Sequence, residues 1–457
     1  MPASGQFPAR IPQCQPGCAP ARRARTHAHR VLGAADVNAP RLALGFSGGG
    51  DSTALLIALR EGWPGIPVHA LIVDHRLRPD STREAALAAE RARAMGAEPH
   101  ILTWDQPRPG QGAARLARHR LMAQACRALG VKILCLGHTL DDRVETLRMR
   151  QARGGPEHTL TAMAPVSISP VWPEGRGLTI VRPLVGVWRG ALRSALARRG
   201  AEWIEDPSNE DRRYERVRLR QTPLPVHEAS ALLERADDIQ GFIPDMGEGD
   251  IELIEWSGQF SDTGWYQFRN GAMYETSRHV LPMIGQAMLA AMSGSPALAP
   301  LRASRPFFTA LFNARAFTGY GVHLTASGAL GRDPGAAGRA DGVTAAPPVE
   351  VQAGQTLVFD GRYEITAKAP LTLSLLGARR PGLGEDGAPA VLRPSLILIE
   401  GQDGAELARA DGPGRWLWRE RLNNLMLSPA LPAWFDARTM QARACAALAV
   451  TAARTNI

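Results

Sequence analysis

The chain has 457 residues, of which 45% are apolar and 21% are charged, and its formal net charge at pH 7 is +9. This composition excludes an intrinsically disordered chain, and the length suffices for two or three domains, each with its own core. No apolar run approaches the about 18 residues that cross a bilayer, so we expect a cytoplasmic protein with no membrane partner. Nearly all the positively charged residues are arginines, since Lys132 and Lys368 are the only lysines. The net positive charge favours a nucleic-acid partner only modestly.

The cysteines indicate a reducing compartment, because they are odd in number, scattered, and not preceded by the apolar core of a signal peptide. They are Cys14, Cys18, Cys126, Cys135 and Cys445. The spacing of Cys14 and Cys18 could supply half of a metal site, but no second Cys or His pair at ligand spacing follows nearby.

Residues 1–38 form a Pro-, Ala- and Arg-rich tail, which we expect to be poorly ordered. From Arg41 onward, short apolar runs alternate with helical stretches. The runs are RLALGF, VHALIVDH, PHILTW and VKILCLGH. Strands that are continuously apolar and separated by helices predict an α/β domain over residues 39–225, with a parallel sheet covered by helices on both faces.

Polar clusters follow three of these runs, at the points where the strands are expected to end. They are SGGGDS after the first run, DHRLRPDS after the second and GHTLDD after the fourth. Ligands of such sheets bind at the carboxyl ends of the strands, which meet at one edge. The sequence therefore predicts that the three clusters form one site.

The sequence pattern changes twice after residue 188. A helix and a turn at 188–220 close the first domain, and residues 226–345 show a helix-like pattern with loops, which predicts a helical domain. Residues 346–457 begin with a Pro-rich linker and continue with the alternation and turn residues of β structure, which predicts a small C-terminal α+β domain.

The segment SGGGDS raises a chemical question. Gly45 and Gly50 match the start of the pattern G-x-x-x-x-G-K-[ST], but Asp51 stands where that pattern has lysine. The glycines allow backbone N–H groups to point inward ahead of a helix, which attracts phosphate. A carboxylate beside phosphates repels them unless a cation lies between, so Asp51 implies Mg²⁺. A tight turn capped by Asp or Ser is the plain structural alternative.

S-G-G-x-D-S is the pyrophosphate-binding signature of the N-type ATP pyrophosphatases, the PP-loop superfamily, and this chain resembles them there. Within that superfamily it resembles the bacterial tRNA(Ile)-lysidine synthases. The resembling blocks are VDHRLRPDSTREA (73–85), LGHTLDDRVETLRMRQARGG (136–155), RPLVGVWRGALRSALARRGAEWIEDPSN (182–209) and YERVRLR (214–220). Beyond about residue 226 the likeness is weaker, although the later segments are similar to the two C-terminal domains of longer members. The resemblance implies a Rossmann-like PP-loop ATPase domain and a helical domain that binds tRNA.

The resemblance also implies an activity, that of a ligase forming a carbon–nitrogen bond. ATP adenylates the C2 carbonyl oxygen of the wobble cytidine, position 34, of an isoleucine tRNA with a CAU anticodon, releasing pyrophosphate. The amine of L-lysine then displaces AMP to give lysidine, which changes codon recognition from AUG to AUA. The expected partners are therefore ATP, Mg²⁺, L-lysine and this tRNA, with a homodimer left open.

Site residues are carried over from the resemblance motif by motif. The residues expected to hold ATP and its pyrophosphate are Ser47, Gly48, Gly49, Gly50, Asp51, Ser52, Asp74 and His75. The expected catalytic residues are Asp51, His138, Asp142 and Glu145. Asp51 and Asp142 would be magnesium ligands, and His138 a general acid or base, or else a histidine that caps a strand end. The residues expected to contact tRNA from one basic helix face are Arg213, Arg216 and Arg220.

Two departures leave alternatives open. Many members have a second histidine where this chain has Thr139, and the loop after Arg153 differs from the usual Arg-Gly-Ser-Gly. A degenerate paralogue that binds RNA or ATP without turnover is one alternative. A tRNA thiolase that uses the same adenylation is another, but no Cys-x-x-Cys pair for an iron–sulfur cluster or persulfide is present.

Overall fold

The structure is a computed structural model in which residues 40–457 form one compact unit. The tail, with Cys14 and Cys18, lies outside the described residues. The other undescribed positions are 39, 106, 108–109, 155–162, 206–214, 242–247, 270–280, 297, 337–346, 378–386, 403, 427–430, 432–433, 436 and 451–457. No helix within the described part of the chain is long and apolar enough to cross a membrane.

The four predicted strands are neighbours in a six-stranded sheet. They are β1 (Leu42–Gly45), β2 (Val68–Asp74), β3 (Glu98–Thr103) and β4 (Ile133–Leu136), joined by β5 (Val166–Ile168) and β6 (Thr179–Val181). The strand order is β3-β2-β1-β4-β6-β5, and β5 alone runs antiparallel to its neighbour. The direction of winding reverses between β1 and β4, which is where open α/β sheets bind ligands.

Helices cover both faces of this sheet, as predicted. They are α1 (Gly50–Gly62), α2 (Ser81–Ala94), α3 (Gln111–Ala128), α4 (Leu140–Ala152) and α5 (Arg189–Arg198). Successive residues of a strand point to opposite faces. Leu42 and Leu44 accordingly pack in the core under α1, α2 and α5, whereas Ala43 packs in the core under α3. The α/β fold of this part of the chain is confirmed.

The segment after the sheet is helical, as predicted, and also carries a small sheet. Its helices are α6 (Glu215–Gln221), α7 (Val226–Gly241), α8 (Glu248–Ser257), α9 (Leu281–Ser293) and α10 (Ser304–Phe312). The strands are β7 (Gly258–Phe260), β8 (Tyr266–Phe268), β9 (Phe317–Gly319), β10 (Val322–Leu324) and β11 (Ala329–Arg332), all antiparallel. These strands have only three or four residues, which is too short for an alternating pattern to be recognised in the sequence.

The C-terminal segment contains the expected β structure. A four-stranded sheet and a three-stranded sheet are built from β12 (Val349–Val351), β13 (Thr356–Phe359), β14 (Tyr363–Thr366), β15 (Leu371–Leu375), β16 (Ile397–Gly401), β17 (Gly404–Leu407) and β18 (Gly414–Trp416). Two helices follow, α11 (Trp418–Met426) and α12 (Ala437–Leu448). The domain boundaries at 225/226 and 345/346 stay predictions.

The last two helices pack against earlier parts of the chain. Leu422 and Met426 of α11 join the core built around α9 and α10. Met440, Ala444 and Leu448 of α12 join the core under α1. The ring of Phe435, just before α12, stacks on Trp63 at the end of α1 with 5.3 Å between ring centroids. The C-terminal helix therefore closes one side of the helix that follows β1.

Candidate active site

The SGGGDS segment forms the turn from β1 into α1. Gly48 has a φ of +76°, a conformation that favours glycine, and a Cβ there would lie 2.5 Å from Ile204 Cδ1. Gly49, the residue that precedes α1, provides no side-chain cap. The Ser52 hydroxyl donates to the Gly49 carbonyl at 2.9 Å and accepts the N–H of Ser47, and Ser47 Oγ accepts the N–H of Gly49 at 3.4 Å. The alternative of a turn held by serine side chains therefore stays open, while the described structure shows no side chain that caps the first turn of α1, which suits an anion.

Carboxylates from two helices meet beside this loop. Asp51 lies in the first turn of α1, and Asp142 and Glu145 lie on one face of α4, as predicted from their spacing. All three contact the guanidinium of Arg189, the first residue of α5. The distances are 3.0 Å from Arg189 Nε to Asp51 Oδ2, 3.2 Å from Nη2 to Asp142 Oδ1 and 3.5 Å from Nη1 to Glu145 Oε1. The loop and the GHTLDD cluster therefore form one site, at the switch point of the sheet.

The environments of Asp51 and Asp142 shift their pKa values in opposite directions. Burial raises the pKa of Asp51, and Arg189 opposes this only in part. Burial would also raise the pKa of Asp142, but Arg189 and the N–H of Thr139 outweigh it and leave that pKa below its ordinary value. Asp142 is therefore held as a carboxylate. Neighbouring acids that differ in this way are typical of functional sites.

Two carboxylate oxygens in this cluster are buried without a hydrogen-bond partner among the described residues. They are Asp51 Oδ1 and Glu145 Oε2. Buried polar atoms are normally satisfied, so an unpartnered pair is itself informative. Carboxylate oxygens are the protein ligands that Mg²⁺ prefers. The cluster therefore fits a magnesium ion, with Arg189 supplying part of the compensating charge when no metal is bound.

Thr139, the departure noted in the sequence, begins α4 and holds Asp142. It is fully buried, and both its N–H and its hydroxyl donate to Asp142 Oδ2, at 2.8 Å and 2.9 Å. Asp142 is the third residue of the helix, so the pair has the arrangement of a capping box. The threonine thus fixes the carboxylate in place.

Replacing Thr139 by alanine is expected to lower the free energy of unfolding by about 1–2 kcal/mol, because the helix loses its side-chain cap and a buried carboxylate oxygen loses the hydroxyl donor, while the backbone N–H donor remains. Urea denaturation of the two proteins measures the change. Thr139→Ser keeps the hydroxyl and is the matched control. Equal stability of the alanine and serine variants would contradict the capping role.

A basic group lies on the other side of the site. Arg118 on α3 reaches the carboxyl end of β1, since its Nη2 lies 3.4 Å from where a Cβ on Gly45 would be. Arg182 follows β6 and donates to the Ala164 carbonyl at 2.8 Å. Together with Arg115 these two charges lower the pKa of His138, on top of the larger effect of burial, to about 3. No carboxylate forms an ion pair with these three arginines within the described ranges, which suits an anionic substrate.

His138 is therefore neutral at physiological pH and can accept a proton. Its Nδ1 is buried and has no hydrogen-bond partner in the described structure. A pKa this far below the physiological range also makes the imidazole a weak base, so it does not decide between the expected roles of general acid and general base, and both stay predictions. The alternative of a histidine that caps a strand end also stays open.

His119 on α3 lies buried under the same arginines, and its pKa is lowered to about 4, first by burial and then by Arg115, Arg118 and Arg182. A histidine whose pKa is lower in the folded than in the unfolded state stabilises the fold above the unfolded pKa, and this stability is lost as the pH falls. Between pH 7 and pH 5 we expect His119 alone to cost about 2 kcal/mol of unfolding free energy. Urea denaturation of wild type and His119→Gln at both pH values measures this. The same pH dependence in both proteins would contradict it.

The DHRLRPDS cluster is organised by Asp74 at the end of β2. Its carboxylate accepts hydrogen bonds from Ser81 Oγ at 2.6 Å, Thr82 Oγ1 at 2.8 Å and Arg76 N at 3.1 Å. Burial would raise the pKa of Asp74, but these bonds bring it below its ordinary value. His75 follows, with its pKa lowered by burial and then by Arg118. Asp74 therefore shapes the loop, and the prediction that this loop lies near adenosine stays a prediction.

The expected tRNA-binding arginines are only partly described. Arg213 lies outside the described residues, as do 206–209 of the EDPSN turn. Arg220 contacts the carboxylate cluster, with 2.8 Å from its Nε to Glu145 Oε1 and 3.4 Å from Nη2 to Asp142 Oδ1. Arg216 donates to Thr146 Oγ1 at 3.3 Å. Both thus lie on the face of α6 that packs on α4, and their contact with tRNA stays a prediction.

The described cysteines are all buried: Cys126, Cys135 and Cys445. Burial raises the pKa of Cys126 to about 12 and that of Cys135 further still. Since a thiolate is the reactive and metal-binding form, Cys126 and Cys135 are unsuited to the sulfur chemistry of a thiolase.

Sequence reasoning missed the arginines that complete the site. Arg115 and Arg118 are three residues apart on one helix, a spacing that puts them on the same face and could have drawn attention. Arg182 and Arg189 lie within a resembling block, but no local pattern distinguishes them from the other arginines of the chain.

Sequence comparisons with known proteins identify the family of this chain. A family model described as the PP-loop domain matches residues 22–227. The tRNA(Ile)-lysidine synthase of Caulobacter vibrioides is 36% identical over 401 residues, which cover 82% of this chain and 86% of that protein. The tRNA(Ile)-lysidine synthase of Hyphomonas neptunium is 44% identical over 182 residues, which cover 39% of this chain and 49% of that protein.

Among solved structures, the U34-tRNA thiolase NcsA from Methanococcus maripaludis is similar over 47% of this chain and 77% of that chain, with a TM-score of 0.37 and 16% identity. The match to the Caulobacter protein is longer than the PP-loop domain and therefore extends into the C-terminal half, where the sequence alone showed a weaker likeness. The chain belongs to the tRNA(Ile)-lysidine synthase family.

Proposed function

We propose that this chain is an ATP-dependent ligase that joins L-lysine to C2 of the wobble cytidine, position 34, of the CAU-anticodon isoleucine tRNA. The reaction passes through an adenylated cytidine and releases pyrophosphate and then AMP. Its product reads AUA in place of AUG. We further propose that the enzyme works in the cytoplasm, where ATP, lysine and tRNA are all present.

One observation carries this proposal: the uncapped loop before α1 and the carboxylates of α4 meet at the switch point of the sheet, joined through Arg189. An adenylating enzyme must hold a departing pyrophosphate and a nucleophile on opposite sides of one phosphorus atom. The N–H groups of the loop and of the first turn of α1 would hold the pyrophosphate. The acidic cluster across from them would face the other substrates.

Magnesium would be held by Asp51 and Asp142, with Glu145 beside them, and when bound it would offset charge on the pyrophosphate. The unpartnered Asp51 Oδ1 and Glu145 Oε2 support this placement. Arg189 touches both proposed ligands. We expect it to keep the cluster compact when the metal leaves.

The lysine amine must lose a proton before it can attack C2 of the cytidine. His138 is the proposed general acid or base of the site, because it is a buried imidazole that interacts with the carboxylate of Asp142. Its neighbours Arg115, Arg118 and Arg182 would bind an anionic group of a substrate. The ammonium form of the incoming lysine would be attracted to Asp142 and Glu145 before deprotonation.

The tRNA would approach from the side of α6, with Arg213 and Arg216 as backbone contacts and Arg220 reaching into the cluster. The helical segment at 226–345 would extend this surface. Such contacts release counterions, so affinity should fall steeply with salt.

The decisive experiment is the incorporation of labelled lysine into unmodified CAU-anticodon isoleucine tRNA, with ATP and Mg²⁺. The methionine tRNA that shares the anticodon is the control. Lysine transferred only to the isoleucine tRNA establishes both reaction and specificity. If ATP/pyrophosphate exchange occurs without lysine transfer, the proposed nucleophile is wrong. If neither occurs, the chain is the degenerate paralogue.

A further inference from the structure

A second cluster of metal-ligating side chains lies away from the active site, at the opposite end of the sheet. His69 on β2 and Glu98 and His100 on β3 project from the same face, since His69 pairs with Glu98 and His100 is two positions further along β3. His69 is buried, His100 is partly buried and Glu98 is exposed. No part of the proposed reaction uses them.

The donor atoms of this trio are spaced as if around one small ion. His69 Nδ1 lies 3.1 Å from His100 Nε2 and 3.2 Å from Glu98 Oε2, and His100 Nε2 lies 3.6 Å from Glu98 Oε1. Zinc binds imidazole nitrogen and carboxylate oxygen at about 2.0–2.2 Å, so neighbouring ligands of a tetrahedral ion are about 3.3–3.5 Å apart. The three observed separations fall around that value.

Without an ion, one proton can hold the two imidazoles together, because His69 Nδ1 and His100 Nε2 are 3.1 Å apart. Both oxygens of the Glu98 carboxylate face these nitrogens, Oε2 at 3.2 Å from His69 Nδ1 and Oε1 at 3.6 Å from His100 Nε2. A cation in place of the shared proton would contact both nitrogens and offset the charge of the carboxylate.

We propose that His69, Glu98 and His100 form a binding site for a divalent d-block ion, with Zn²⁺ as the physiological candidate and water as the fourth ligand. Two imidazoles favour such an ion over Mg²⁺ or Ca²⁺, which take oxygen ligands. His69 lies five positions before Asp74 on the same strand, which places the site about 16 Å from the catalytic end of β2. This ion is therefore separate from the magnesium of the proposed function.

An ion bound at this site would stabilise the edge of the sheet. β3 is the outermost strand on its side and pairs only with β2. An ion bound to His69 on one strand and to Glu98 and His100 on the other would tie the edge strand to the rest of the sheet. Binding would then stabilise the folded chain in proportion to the free metal concentration.

The test is a titration of the full-length, chelator-treated protein with Zn²⁺ against a competing indicator, and with Co²⁺ followed by its visible absorption. We expect the wild type to bind one equivalent of Zn²⁺. His100→Gln and Glu98→Gln should each lower the affinity for this ion at least about 10-fold, because the loss of an outer-sphere partner already costs about that much and these residues are direct ligands. Wild type should also unfold at a higher temperature with Zn²⁺ than without it. His227→Gln, at a histidine whose side chain is 82% exposed, is the matched control and should bind as wild type does.

The cobalt spectrum distinguishes metal bound at this site from metal bound by the tail, where Cys14 and Cys18 could bind through sulfur. The proposed ligands contain no sulfur, so their complex lacks thiolate-to-metal charge transfer. Zn²⁺ stoichiometry and affinity that are the same in wild type and both variants would overturn the proposal. So would a cobalt complex that shows only thiolate ligation. Glu98→Gln changes an exposed carboxylate and keeps the test decisive if His100→Gln folds poorly.

Discussion

Asp51→Asn is expected to lower the rate of tRNA-dependent ATP/pyrophosphate exchange about 100- to 1000-fold, a loss of about 3–4 kcal/mol of transition-state stabilisation. The carboxylate is the proposed magnesium ligand nearest to the phosphate loop. The amide binds magnesium less well, so the charge of a departing pyrophosphate is no longer offset by the metal. Folding should be little affected. Burial already raises the pKa of Asp51, so loss of the charge relieves a desolvation cost, while Arg189 keeps Asp142 and Glu145 as partners.

Glu61→Gln is the matched control for that experiment. Glu61 lies near the other end of α1, is half-exposed, and pairs with Arg199 at 3.4 Å, so the same chemical change on the same helix should leave exchange at the wild-type rate. Exchange by Asp51→Asn within a few-fold of wild type would show that this carboxylate does not support the departing group.

Asp142→Asn is expected to reduce lysine transfer by about 100-fold or more, for the loss of one charge in a buried catalytic cluster. The asparagine oxygen can still accept the N–H and hydroxyl of Thr139, so the cap of α4 is retained. The substitution therefore separates the charge of Asp142 from its role as a cap, whereas Asp142→Ala removes both. Lysine incorporation and urea denaturation, measured on the same preparations, give the two effects independently.

The two variants are expected to lose activity alike and to differ in stability. Asp142→Asn should be stable and inactive, and Asp142→Ala should be inactive and also less stable by about 1–2 kcal/mol. Glu234→Gln, at an exposed position of α7, is the surface control for both. Full activity of Asp142→Asn would mean that the carboxylate contributes only its capping bonds.

Much of the site could be predicted from the sequence because its parts are local. The loop at 47–52 combines glycines, a strand end and a helix start within a few residues, and each follows from short-range chemistry. Asp142 and Glu145 share a face by helical spacing alone. The order of strands places the two motifs together once a parallel sheet is assumed, and the structure has them at the switch point.

Other parts depend on contacts between distant segments, which no local pattern reveals. Arg189 is 138 positions from Asp51, and nothing in its neighbourhood predicts four carboxylate neighbours. Arg220 shares a basic helix face in the sequence, and its pairing with Glu145, a residue of a distant helix, has no local signal, while its contact with tRNA stays a prediction. Thr139 was interpreted as a departure in mechanism, whereas its contacts are those of a helix cap.

The packing of α12 on α1 has a consequence for the order in which the protein is made. Ribosomes deliver α1 long before the residues that cover one side of it, Met440, Ala444 and Leu448. A nascent chain must therefore carry an incompletely covered helix beside its phosphate loop until α12 has been synthesised. A frameshift or premature stop just before α12 would remove this cover while leaving every proposed catalytic residue in place.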